Sequence, residues 1–241
     1  MDPLLYVVVG SALWGAAAGL LVPRAVYRLS VPPDEAWRDS CPDGHPLSGW
    51  VGLARCPRGD RFGPRTLTVT LATALVCAAL AAATGPRPEL AVWLLLAPFG
   101  VLLAVVDFGV HRLPDVLTLP LAVAALALLG GAALLPEHGG SWSHALYGAL
   151  GLGGAYFVLF LISPNGMGFG DVKLALSLGA VLGWYGWGGV LLGTFAGFLL
   201  AALYGTVLVI ARRAGRKTAI PFGPFLIGGA FVGLLAGAYA A

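Results

Sequence analysis

Charge is what this chain has least of. Only 10% of its 241 residues are Asp, Glu, Lys or Arg and 59% are apolar, whereas soluble domains carry about a quarter charged. A soluble globular fold is thereby excluded, and counting apolar runs of about 20 residues replaces the usual domain-length rule. Lysine is scarcer still: Lys173 and Lys217 stand against twelve arginines. No Lys- or Arg-rich run and no aromatic platform points to nucleic acid. Cysteine is limited to Cys41, Cys56 and Cys77, an odd count with Cys77 inside an apolar run, so a disulfide framework is not expected. A basic leader is missing as well. The only early charge is Asp2, and the first apolar run is longer than a signal-peptide core, so it is expected to be a retained helix.

What is present is a series of apolar runs: about Leu4 to Val22, Leu67 to Ala83, Leu90 to Val106, Val116 to Leu135, Ala145 to Ile162, Val172 to Trp184, Gly188 to Ala211 and Ile220 to Ala240. They predict an all-α polytopic membrane bundle of about eight transmembrane helices. The segment Pro23 to Arg65, rich in Pro, Gly, Arg and Asp, is too charged for lipid and is expected to form a loop subdomain. The expected organisation is a first helix plus this loop over 1–66, and a membrane domain over 67–241. Gly148, Gly151, Gly153 and Gly154 allow close helix approach. If the eight spans alternate, thirteen of the fourteen Lys and Arg residues fall on one side and only Arg87 on the other. By the positive-inside rule the crowded side, with the loop, is cytoplasmic. The cluster Arg212, Arg213, Arg216 and Lys217 contributes to that signal. Trp142, Trp184 and Trp187, near run ends, are expected as interfacial anchors.

Against this background two acids stand out. Asp171 lies in Gly166-Met167-Gly168-Phe169-Gly170-Asp171-Val172-Lys173, and an ionisable group at the start of a membrane span is a functional hypothesis by default. The alternating glycines allow another backbone to pass close; the bland alternative is Asp171 as a helix N-cap. Asp107 ends the run Leu102 to Val106, with no sequence cation nearer than Arg112. The alternation puts both acids at the cytoplasmic boundary. Asp115, following Pro114, has a simpler role as a cap of the next helix. His111 would share a face with Asp107 only if the helix continued, and is expected as an interfacial histidine, not a ligand. Lys173 lies about 200° round a helix from Asp171 and is expected to meet a lipid phosphate.

Paired carboxylates at a membrane boundary suit aspartyl protease chemistry, in which one holds a proton while the other deprotonates the attacking water. Such a pair titrates as a unit. No second His or Cys at ligand spacing near either acid points to a metal. Two other readings stay open: a different Gly-x-Gly-Asp protease cutting within a substrate's transmembrane helix, and an ion-coupled transporter whose acids carry protons.

The segment Gly166 to Leu174 resembles the Gly-x-Gly-Asp signature of the type IV prepilin peptidases, membrane aspartyl proteases of the bacterial inner membrane. Asp107 to Pro120 is similar to that family's first aspartate segment, and Ile220-Pro221-Phe222-Gly223-Pro224-Phe225 to its C-terminal motif. The resemblance spans roughly residues 90 to 240. It implies Asp107 and Asp171 as catalytic residues, with Gly168, Gly170, Asp115 and Lys173 in support. It implies prepilin or pseudopilin substrates cut at the cytoplasmic face, with membrane lipid around the enzyme. No cofactor is implied for proteolysis; S-adenosylmethionine would serve if N-methylation of the new terminus is retained. The family's first loop often carries two Cys-x-x-Cys pairs, whereas here each keeps one cysteine, in Cys41-Pro42-Asp43-Gly44 and Cys56-Pro57-Arg58-Gly59. His45 or Asp60 could complete a site, but two reduced thiols are the expectation and zinc is not. The family's Gly-Ser-Phe-Leu-Asn segment is also replaced, by Gly19 to Leu29, which leaves methyl transfer open.

Overall fold

A computed structural model describes residues 3–32, 35–56, 59–164, 166–211 and 220–241. Among these the regular elements are eight α-helices: α1 Pro3–Leu29, α2 Thr66–Thr84, α3 Glu89–Val110, α4 Asp115–Ala132, α5 Trp142–Ile162, α6 Phe169–Gly183, α7 Trp187–Ile210 and α8 Gly223–Ala240. The all-helical membrane fold expected from the apolar runs is the one observed. Seven of the helices are long and apolar enough to cross a membrane. The cationic cluster Arg212 to Lys217 lies outside the described residues. The chain divides into two compact units, Met1–Pro114 and Asp115–Ala241.

In the first unit, α1, α2 and α3 pack on one another. Helix α1 continues seven residues beyond the apolar run, because the polar loop grips its end. Pro23, inside α1, has no N–H for the helical ladder. At that point Gly52 inserts its own backbone, donating to the Leu21 carbonyl at 2.8 Å and accepting from the Arg24 N–H at 3.1 Å. Arg24 donates its guanidinium to the carbonyls of Ser48 and Leu53, and Arg28 to that of Gly49. Arg28 also lies over the Trp50 ring. These arginines, which the sequence offers as topology signals, are also the loop's fastenings.

In the second unit, α6 is the centre. It packs on α4, α5, α7 and α8, and nine of its fifteen residues are buried. At 1.5 Å per residue it is about 22 Å long, short of a hydrocarbon core of about 30 Å. Residues at its two ends nonetheless contact residues near the two ends of α5. At one end the Phe169 ring meets Phe160 at 5.2 Å; at the other, Ser141 donates its N–H to the Trp184 carbonyl at 2.9 Å. A helix sheathed by its neighbours need not match lipid thickness, so the shortest of the eight apolar runs forms a short helix enclosed by the others. Trp184 is likewise not an interfacial anchor: it is fully buried, with its ring beside His138. Trp187 and Trp142 keep exposed rings.

The α5–α6 contact depends on absent side chains. A Cβ at Gly148 would collide with the Gly179 carbonyl oxygen, and a Cβ at Gly179 with that of Gly148. Neither backbone can yield without separating the helices, the close approach that small residues permit in membranes. Gly179→Ala should therefore lower the thermal midpoint of the detergent-solubilised protein, by an overpacking cost of about 1–3 kcal/mol. Gly154→Ala, whose added methyl meets nothing within 4 Å, should leave it unchanged.

Candidate active site

The second unit holds the glycine-rich segment. Helix α6 begins at Phe169, with Gly168 as its N-cap. Gly166 lies in the preceding turn, its N–H bonded to the Ser163 carbonyl. Phe169 and Gly170 are helical. Asp171 is not the N-cap but lies one turn in, where its Oδ2 accepts the Gly168 N–H at 3.2 Å. It is 7% exposed. A helix N-terminus offers unpaired N–H groups and a positive dipole end, so a carboxylate here is held by its own helix. Gly168 has φ −72° and ψ 144°, a conformation any residue adopts, so backbone strain is not why glycine stands there.

Lys173 takes a partner the sequence did not suggest. Its Nζ lies 2.7 Å from Asp115 Oδ2 and 4.9 Å from the Phe169 ring centroid. Phe169 in turn contacts Phe157 and Phe160 of α5. The expected phosphate partner is corrected to a carboxylate, and one ammonium links the starts of α4 and α6 to the end of α5. Asp115 is the first residue of α4 rather than its cap. Gly168, Gly170, Asp171, Lys173 and Asp115 therefore share one region of the second unit.

Sequence reasoning missed Tyr156. It is 1% exposed, its hydroxyl has no hydrogen-bond partner, and the Asp171 carboxylate lies within electrostatic reach. Its ring packs near Phe198 and Phe222, and Phe222 belongs to the segment Ile220 to Phe225. A tyrosine inside an apolar run carries no sequence signal that separates it from a core aromatic.

Asp107 belongs to the first unit, in the last turn of α3, and is 5% exposed. The helix ends at His111, which adopts left-handed dihedrals of 52° and 41° and donates its N–H to the Asp107 carbonyl at 2.8 Å. The helix does not continue, so His111 is off the Asp107 face and exposed. Arg112, the nearest cation in sequence, turns to the Pro32 carbonyl and the Trp37 ring. Another acid that sequence reasoning passed over, Glu89, is fully buried at the opposite end of α3 beside Arg87.

In the same unit, Cys41 and Cys56 are joined in a disulfide, which corrects the expectation of two free thiols. The physical reason is that two similar turns converge. Gly44 N–H bonds the Cys41 carbonyl and Gly59 N–H that of Cys56, and both sulfurs pack with Ala54 and Phe62 under Tyr27 and Leu47. Cys77 is free and buried in α2.

A multi-pass helical protein with buried acids in the last turn of α3 and the first turn of α6 belongs to the polytopic membrane proteins, in which an ionisable group at a membrane span marks a functional site by default. Comparison with known proteins narrows it. The model of the type IV leader peptidase family matches residues 94–210. The chain is 35% identical over 225 residues to a prepilin leader peptidase/N-methyltransferase of Aeromonas hydrophila, covering 88% of this chain and 74% of the relative. It is 32% identical over 233 residues to the protein of the same name from Pseudomonas aeruginosa PAO1, covering 89% and 75%. A Pseudomonas putida relative of that name is 27% identical over 274 residues, covering 98% and 93%. No solved structure matches. The chain belongs to the type IV leader peptidase family and is a multi-pass membrane endopeptidase of the prepilin peptidase type, which sets aside the transporter reading.

The Lys173–Asp115 pair is half in water, where ion pairs contribute about 0–1 kcal/mol. Lys173→Ala should accordingly lower the rate of peptide cleavage while leaving the thermal midpoint nearly unchanged, and Lys173→Arg should restore most of the rate. Steady-state cleavage assays beside unfolding curves separate the two effects.

Proposed function

We propose that this peptidase cuts the basic leader from type IV prepilin or pseudopilin precursors at the cytoplasmic face of the inner membrane, with Asp107 and Asp171 as its catalytic pair. The observation that carries the reading is Asp171, buried at the start of α6 within a Gly-x-Gly-Asp segment, in a chain of the leader peptidase family. In an aspartyl pair acting on one peptide bond the two carboxylates do not both ionise. One keeps a proton and activates the scissile carbonyl, while the charged partner takes a proton from the attacking water. Protonation then passes to the leaving amine, and the pair returns to its shared-proton state. The distribution of Lys and Arg along the chain supports the cytoplasmic side.

Within this reading Gly168 and Gly170 leave the approach to Asp171 open to the substrate's extended backbone. Lys173 and Asp115 hold the start of α6 in place. The peptidase region is residues 67–241, and the substrate's hydrophobic helix lies in lipid beside it while its leader reaches the acids. Asp107→Asn and Asp171→Asn should each reduce cleavage of a prepilin in detergent by about 10²–10⁴-fold, the range for loss of an acid–base group. Asp115→Asn should retain a measurable fraction of activity. Full cleavage by either of the first two variants would sink the pair; abolition by Asp115→Asn alone, with the fold intact, would move the role to that residue.

The curated relatives are also named N-methyltransferases. The described loop offers no set of residues fitted to S-adenosylmethionine. Arg24, Arg28 and Arg38, its best candidates for binding the ligand's carboxylate, are turned onto the backbone carbonyls of Leu53, Gly49 and Tyr27. No step is therefore routed through that cofactor. Mass spectrometry of the processed terminus after incubation with S-adenosylmethionine should show an unmodified amine; a gain of one methyl group would overturn this part of the reading.

A further inference from the structure

Tyr156 is a buried polar group to which the proteolytic reading gives no task. It is 1% exposed in α5, and its hydroxyl has no hydrogen-bond partner among the described residues. Buried hydroxyls are nearly always paired, so an orphan calls for a partner that another state of the protein supplies. A position that needed only an aromatic ring would be served by phenylalanine, as Phe157 and Phe160 serve one turn further along the same helix.

The register of α5 against α6 says which group that partner is. The two helices run antiparallel: Gly148 faces Gly179, and Gly183 lies against the His144 carbonyl. Eight residues along each helix, from Gly148 to Tyr156 and from Gly179 back to Asp171, the tyrosine comes opposite the acid. The register holds beyond that point, where Phe160 meets Phe169. Tyr156 also lies within electrostatic reach of the Asp171 carboxylate. Its other neighbours carry no charge. The ring is near Phe198 and Phe222, and the small cavity beside it is walled by Leu152, Leu182, Leu226 and Thr194, whose hydroxyl is already given to the Val190 carbonyl. A hydrogen bond to an ionised acceptor is about twice as strong as one between neutral groups, which favours the carboxylate.

We propose that Tyr156 is a positioning residue of the peptidase: its hydroxyl donates to the Asp171 carboxylate when that acid is the ionised member of the pair, and so assigns the role of base to Asp171. The inference rests on the catalytic pair proposed above and deepens it, because that reading leaves the roles of the two acids open. A carboxylate that accepts both the Gly168 N–H and a phenol is favoured in its charged form, and the proton shared by the pair is then left on Asp107. Tyr156 moves no proton itself and, enclosed by side chains, does not touch the substrate. Hydrogen bonds that are long in a free enzyme tighten in the substrate complex, and this one forms there.

The test measures kcat and KM across pH for the full chain in detergent, with a prepilin as substrate, in wild type and Tyr156→Phe. Among the described residues the other ionisable groups at this end of the unit are Lys173 and Asp115, paired with each other, and Tyr204, stacked on Phe225; His144, Tyr147 and Tyr239 lie towards the opposite ends of their helices. In Tyr156→Phe the acid limb of kcat should move up by about one pH unit, the size of a hydrogen bond to a charged group, so that the rate falls about tenfold on the limb and less on the plateau. KM should be unchanged. A fluorinated tyrosine at position 156, a stronger donor, should move the limb down. The thermal midpoint of Tyr156→Phe should not fall, because the hydroxyl removed is unpaired in the free protein. A loss of rate equal at every pH would mark Tyr156 as structural and overturn the proposal, as would a profile coincident with that of wild type. Asp171→Asn, run alongside, separates the two readings. If it is inactive while Tyr156→Phe matches wild type, only the role of the tyrosine fails; if it cleaves at full rate, the catalytic pair fails and this proposal with it.

Discussion

An ionised carboxylate placed among hydrocarbon must find donors or lose its charge, and the second unit is built around one solution to that constraint. Asp171 is put in the first turn of α6, where the helix's own unpaired N–H groups and dipole meet it, and the Gly168 N–H completes the contact. The position requires a helix that starts at the membrane edge and is buried on all sides. Hence α6 is short, lined with small residues, and enclosed by four other helices.

The remaining features of that unit follow from keeping α6 in register. Its far end is fixed where Gly179 meets Gly148 without intervening side chains. Its near end is fixed by Lys173, which spans to Asp115 and rests on Phe169. One contact is dispersion at close backbone approach and the other is charge at the water boundary, so they respond differently to substitution. The first carries stability and the second alignment.

Family membership and the membrane character were legible along the chain, because both rest on local order: apolar runs, cation placement and three short motifs. The helix starts near Thr66, Glu89 and Asp115 fell within a residue or two of the apolar runs, whereas the end of α1 and the start of α6 did not. Those two termini are set by partners, the Gly52 backbone in one case and the Phe160 ring of α5 in the other. His111 shows the same limit. Its four-residue spacing from Asp107 suggested a shared face, but a single left-handed residue ended the helix there.

What the sequence determined by itself was composition and pattern: that the chain lives in a membrane, that Asp107 and Asp171 are its unusual acids, and that glycine surrounds one of them. Only tertiary structure decided what each charged or polar group touches. It turned Lys173 from lipid phosphate to Asp115, brought Tyr156 near Asp171, and drew Cys41, Asp43, His45 and Cys56 to one point. Periodicity is a property of neighbours along the chain, while partners of a buried polar group are chosen among residues far apart in sequence. In a low dielectric that choice is enforced by the penalty for leaving such a group unmatched.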